Sequence, residues 1–128
     1  ITVGCIDYKK SVEFYKTLGL TQIVDAPPHY ARFETPTGET MSIHQVDAVG
    51  LPSTVVYFET DSLNEAVAAF KAKGIKFESD PRDEDWGWRE ARLRDPAGNP
   101  LCLFHAGENR RFPAWRMRSN ELVKGEYQ

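Results

Sequence analysis

Residues 80–88 read DPRDEDWGW, an acidic, proline-bearing stretch that ends in two tryptophans. Glu90, Arg92 and Arg94 follow at every second position. Side chains alternate across an extended strand, so Trp86, Trp88, Glu90, Arg92 and Arg94 share one face. Large flat rings beside a few convergent charges suit a small organic molecule, because ring burial gives affinity and polar groups fix orientation. A carboxylate near an arginine also suits acid–base work, with Glu90 or Glu59 as the base and Arg92 stabilising a developing oxyanion. Gly87 between the rings is a backbone pivot, which fits a loop that closes over a ligand. The same residues also fit plainer duties. The tryptophans can cap a core or a subunit interface, and Glu90 with Arg92 can be an ion pair on a wet sheet face, worth little.

What must position these residues is a scaffold that the chain spells twice. SVEFYKTLGL, starting at residue 11, recurs as AVAAFKAKGI from 66, and ARFETPTGETMSI, starting at 31, recurs as ARLRDPAGNPLCL from 91. Two segments repeating in the same order at nearly one offset indicate a duplicated supersecondary unit. In the first copy, hydrophobic periodicity predicts a strand over 1–6, a helix over 11–18 and strands over 21–25, 30–34 and 40–45. The second copy predicts a strand over 54–59, a helix over 63–73 and strands over 76–79, 88–94 and 100–105. Gly19 and Gly74 stop the helices, since glycine tolerates the left-handed backbone that closes a last turn. The expected organisation is one domain of 128 residues. Module one spans 1–46, a linker with Gly50 and Pro52 spans 47–53, module two spans 54–105 and a tail spans 106–128. The fold class is α+β: two tandem βαβββ modules forming a curved mixed sheet around a cleft, helices on the convex face.

Alternation sorts the strand residues into two sets. Val3, Val56, Phe58, Ala31, Phe33, Ala91, Leu93, Met41, Ile43, Leu101 and Leu103 share the parity that packs beneath the helices. The other parity carries Thr2, Tyr30, Arg32, Glu34, Ser42, His44, Val55, Tyr57, Glu59, Glu90, Arg92, Arg94, Cys102 and Phe104. That mixture reads as the wall of a ligand cavity, and equally as a solvated face of an antiparallel sheet.

The remaining composition removes other classes. A net charge of −3 gives no long-range attraction for a polyanion, so nucleic acid is not an expected partner. No apolar run approaches the roughly 20 residues that cross a bilayer, and no leader precedes Ile1, so the expected location is cytoplasmic, without membrane contact. Cys5 and Cys102 fit no metal or redox spacing and read as reduced thiols in strands. The tail carries Phe112, Pro113, Trp115 and Met117 among charges, an aromatic group for a neighbouring subunit or the groove, or a frayed terminus.

SVEFYKTLGL after the first strand and RDPAGNPLCLF at 94–104, with its DPxGN turn before the last strand, resemble the vicinal oxygen chelate superfamily. That superfamily includes glyoxalase I, extradiol dioxygenases and the fosfomycin- and bleomycin-resistance proteins, and the likeness runs from Ile1 to about His105. In its metal-dependent members His or Glu stands at four equivalent strand positions. Here the first falls immediately before Ile1, and the others correspond to Ser42, Val55 and Cys102. The resemblance therefore implies no metal and no cofactor, with an unusual set of His44, Glu59 and Cys102 as the alternative. It also implies a homodimer, with modules paired within or across chains. Two functions stand side by side. One is binding of a small amphipathic organic ligand among Trp86, Trp88, Tyr57 and Phe104, bordered by Thr2, Arg32, Ser42, His44, Val55, Arg92 and Cys102. The other is a lyase, isomerase or dioxygenase-type enzyme with an atypical metal or acid–base site. An interaction module whose face is covered by a partner subunit is a third.

Overall fold

The computed structural model describes residues 1–50 and 54–117. Its first module comprises β1 (Thr2–Cys5), α1 (Tyr8–Thr17), β2 (Thr21–Ala26), β3 (Tyr30–Glu34) and β4 (Thr40–Gln45). The second comprises β5 (Val56–Glu59), α2 (Leu63–Ala72), β6 (Arg82–Asp83), β7 (Arg89–Arg94) and β8 (Pro100–His105), and a 3₁₀ turn, Gly107–Arg110, follows. Each module folds its strands into a four-stranded mixed sheet, ordered β1-β4-β3-β2 and β5-β8-β7-β6. The first strand pairs parallel with the last of its module, and the remaining pairs are antiparallel. The fold is thus α+β, built from tandem βαβββ modules.

The helices form where the periodicity places them. Ser11, Val12 and Tyr15 lie on the buried side of α1, and Leu63 and Val67 on that of α2. Both helices stop in the same way. Gly19 at φ +103° donates its N–H to the Lys16 carbonyl and Leu20 to Tyr15; Gly74 at φ +94° donates to Lys71 and Ile75 to Phe70. A residue with a side chain is disfavoured at such an angle, and the apolar residue after each glycine returns to the core. Leu20 and Ile75 are both buried there.

The strand predicted over 76–79 does not form. In its place Phe77 makes an isolated bridge to Leu93, and the Glu78 and Ser79 amides both point at the Arg92 carbonyl. Pro81 has no N–H to donate to a ladder. Regular pairing resumes beyond it with Arg82 opposite Glu90 and Asp83 opposite Arg89.

One hydrophobic cluster draws on both modules, from Val3, Tyr15, Phe33 and Ile43 to Val67, Leu93, Leu101 and Leu103. A buried polar clasp crosses the same seam. The Tyr15 hydroxyl donates to Asp95 Oδ2 at 2.6 Å, and Asn99 Nδ2 donates to the Gly4 carbonyl at 2.8 Å. Asp95 also accepts from the Ala97 and Asn99 amides and from Asn99 Nδ2, at 3.0, 2.8 and 2.7 Å. Buried polar groups are tolerable when partnered in this way. Among the described residues no helix is long and apolar enough to cross a membrane.

Candidate functional site

On the side of the second sheet away from the helices lies a second, smaller apolar cluster of Cys102, Phe104 and Ala106, with Val55 and Trp88 packed against it. Trp88 stacks on Phe104 with ring centroids 4.6 Å apart and planes 19° apart. Tyr57 meets both rings edge-on, 6.2 Å from Trp88 and 5.7 Å from Phe104. Offset stacks and edge-to-face pairs are the favoured aromatic geometries, so the three rings hold one another as a platform. They meet because β5 and β7 flank β8, with Tyr57 opposite Cys102 and Glu90 opposite Phe104.

Beside the platform sits Glu90, only 3% exposed. Its Oε1 accepts from Arg92 at 2.9 Å, and its Oε2 accepts from the indole N–H of Trp86 at 2.8 Å. Arg92 also donates to the Tyr57 hydroxyl at 3.3 Å and lies 5.6 Å from the centre of that ring. A charged, hydrogen-bonded pair is thereby fixed at the edge of an apolar surface, with its net charge balanced. Trp86 belongs to this group by a different route from the one alternation predicts: it stands in the loop between β6 and β7, and its indole folds back onto the strand. Gly87, at φ +87°, makes that bend.

Cys102 is fully buried within the group. Burial pushes its thiol up to about 12, and the neighbouring Glu90 carboxylate adds to the effect. A thiol held in that state is a poor nucleophile at neutral pH. Glu59 faces another way. Its Oε2 accepts from the Ala106 and Gly107 amides, both at 3.0 Å, and its Oε1 lies 3.3 Å from Arg110 Nε. That carboxylate therefore anchors the 3₁₀ turn. Arg94 is likewise engaged elsewhere, with Glu78 at 2.9 Å and the Gly98 carbonyl at 3.0 Å.

The first module presents a different face. Tyr30 and Ser42 hydroxyls lie 2.6 Å apart, and Arg32 Nε donates to Tyr30 at 3.0 Å. The Ser42 and Arg32 contacts lower the Tyr30 phenol below its ordinary value. Thr2 sits opposite Ser42 and His44 opposite Tyr30, both exposed. The candidate residues thus fall into two groups, one per module. Among the described residues no hydrogen bond, ion pair or ring contact joins them. Two grooves of about 700 Å³ lie along the seam between modules, and neither is lined by Trp88, Glu90 or Arg92. Of the three rings, Tyr57 is exposed, Trp88 half-buried and Phe104 buried.

Sequence reasoning left two contributors out of the ligand set. Tyr30 shares the parity of Arg32 and Ser42, and that alternation was signal enough to include it. Asn109 accepts from Trp88 Nε1 at 3.4 Å and donates to the Gly87 carbonyl at 3.2 Å, steadying the loop from the tail. Nothing in the charged run around it marks that role. Of the tail aromatics, Phe112 and Trp115 are exposed, with Arg111 and Arg116 against the Phe112 ring. Residues 118–128 lie outside the described residues, as does Pro52 of the linker.

Relatives hold a metal at four positions, and at the three of them that the chain contains the residues are not a donor set for one. Ser42 is neutral and hydrogen-bonded to Tyr30, Val55 has no donor atom, and Cys102 is a single buried thiol. Zinc and similar transition metals take thiolate, imidazole or carboxylate ligands, three or four from the protein in a typical site. Among the described residues no three His, Cys, Asp or Glu side chains converge, the set His44, Glu59 and Cys102 included.

The family described as the Glyoxalase/Bleomycin resistance protein/Dioxygenase superfamily matches residues 1–103. An uncharacterized Bacillus subtilis protein, YraH, is 29% identical over 114 residues, which is 77% of this chain and 89% of that protein. A glyoxalase/bleomycin resistance protein/dioxygenase from Nocardioides superposes with a TM-score of 0.68 at 27% identity, covering 83% of this chain and 80% of its own. A bleomycin-binding protein in complex with bleomycin superposes with a TM-score of 0.70 at 18% identity, covering 81% and 93%. At that identity the last likeness speaks for the fold alone.

Proposed function

The chain belongs to the glyoxalase/bleomycin resistance protein/dioxygenase superfamily, and on that premise we propose that it holds a small amphipathic organic molecule on the ring platform of its second module, without a metal at the family's ligand positions. The observation that carries this reading is the coincidence of a stacked Trp88–Phe104 pair with a buried, fully partnered Glu90. Rings supply area, and the carboxylate and guanidinium beside them supply direction. Within one chain Tyr57 and part of Trp88 stay uncovered. We therefore take the complete site to form in a homodimer, in which the partner's first-module face covers it. The exposed side chain of Ile6, which shares the parity of Thr2, gives such a contact apolar area.

The test is a titration with bleomycin and with norharmane, a flat tricyclic amine, followed through tryptophan emission. Quenching in the wild type and a loss of about tenfold or more in affinity for Trp88→Ala are expected, since about 1.4 kcal/mol corresponds to each tenfold. An unchanged response in that variant places binding elsewhere on the molecule.

A further inference from the structure

Glu90 is buried, and each of its two oxygens has a donor. The donors differ in kind. Arg92 belongs to the strand itself and is tied to Tyr57 as well. Trp86 stands in the loop, 42% exposed, and its hydrogen bond to the site is made by its indole nitrogen. Among the described residues it makes no ring contact, whereas Trp88, on the other side of Gly87, is fixed by Phe104 and Tyr57. A tryptophan that leaves so much apolar area in water while its N–H reaches a buried carboxylate holds a place that another flat N–H donor can take.

We propose that Trp86 is a built-in stand-in for the ligand: its indole N–H occupies the acceptor on Glu90 that an N–H of the bound ring takes over. This rests on the reading that the ligand lies on the Trp88–Phe104 platform. The specificity follows from hydrogen-bond chemistry. A buried carboxylate oxygen gives up one donor only for another, and a carbonyl or ether set against it leaves lone pair facing lone pair. Arg92 stays on the other oxygen and balances the charge, so the exchange calls for a donor and not for a cation. The ligand class is accordingly a flat aromatic carrying an N–H, able to stack on Trp88 and to point that N–H at Glu90. Gly87 is where the loop turns as Trp86 leaves, because its backbone angle of +87° suits residues without a side chain.

The experiment compares norharmane with its N9-methyl derivative, two flat rings that differ in one N–H, against the wild type and Trp86→Phe. The phenylalanine variant keeps a ring and removes the competing donor at an exposed position. In the wild type, where one donor replaces another on Glu90, norharmane is expected to bind within about threefold of the methylated ring. In Trp86→Phe, norharmane is expected to gain about threefold or more while the methylated ring stays unchanged, since only the former uses the vacated acceptor. Equal binding of the two rings in both proteins overturns the donor exchange and leaves the platform reading standing. Equal weakening of both rings by Trp86→Phe also overturns it, by making Trp86 part of the platform. Failure of both rings to bind the wild type overturns the platform reading, and this inference with it.

Discussion

The two modules bury the same side of the sheet in the same register. Ala31 and Phe33 lie opposite Ile43 and Met41 in the first, and Ala91 and Leu93 lie opposite Leu103 and Leu101 in the second. On the other side the matched residues part company. Tyr30 answers to Glu90, Ser42 to Cys102 and His44 to Phe104, while Arg32 and Arg92 agree. The first set makes a polar face on which Arg32 and His44 are exposed; the second buries Glu90, Cys102 and Phe104 beside the rings of Tyr57 and Trp88. A helix packs on one side of each sheet, and close packing penalises changes of volume there. The other side carried no such constraint after duplication, and it is where the chemistry differs.

The turns before the last strands diverge as sharply. Thr35 bonds within its own turn, to Glu39 and Thr37, at the surface. The matched Asp95 is buried and takes the hydroxyl of Tyr15 from the other module. The largest effect expected from single changes follows from this contrast. Asp95→Ala removes the acceptor for Tyr15, Asn99 and two amides at once, and should lower stability by about 3–4 kcal/mol, because buried donors left without partners each cost about 1–3. Thr35→Ala should lower it by less than about 1 kcal/mol, as exposed turn bonds do. Urea unfolding of the two variants side by side checks this. Equal losses would mean that the clasp does not join the modules.

The repeat made the fold legible, because duplicated periodicity and duplicated glycine stops constrain both copies together. The faces were legible too, since alternation needs no knowledge of tertiary contacts. What alternation cannot see is a side chain that leaves its strand, as Trp86 does by folding back from a loop, or one that is claimed by a distant backbone, as Glu59 is by Ala106 and Gly107. It also assigns residues to a face without saying whether two modules turn those faces toward one another. The segment over 76–79 misled for a related reason: its residues suit a strand, yet the proline two positions later moves the pairing to Arg82 and Asp83.

A pH titration sharpens the contrast at Ser42 and Cys102. Burial raises the Cys102 thiol from 9.0 to about 12, and the Cys5 thiol and the Tyr8 and Tyr15 phenols are raised as well. The folded chain then keeps protons that the unfolded chain gives up. The stabilising contribution of Cys102 is complete below about pH 9 and is lost as pH climbs toward 12, at about 1.4 kcal/mol per pH unit for each such group. Tyr30, lowered by Ser42, works in the opposite sense in the alkaline range. Cys102→Ser gives the second module the residue of the first. Its urea midpoint should fall less steeply over this range, by close to one proton in the slope. A slope identical to wild type would show that the thiol does not titrate differently in the two states.

The smallest effect runs in the other direction, with the first module borrowing from the second. Ser11 is fully buried on α1, and among the described residues its hydroxyl is the one buried side-chain polar atom without a partner. The matched position on α2 is Ala66. An unpartnered hydroxyl loses its water on folding and gains nothing in return, while alanine is the better helix former. Ser11→Ala should therefore raise stability, by about 0.5–1 kcal/mol, with no change in ring binding on the distant platform. Thermal or urea unfolding reads the gain. A loss of stability instead would show that the hydroxyl has a partner after all, and that at this position the two modules differ by design of the first and not by its neglect.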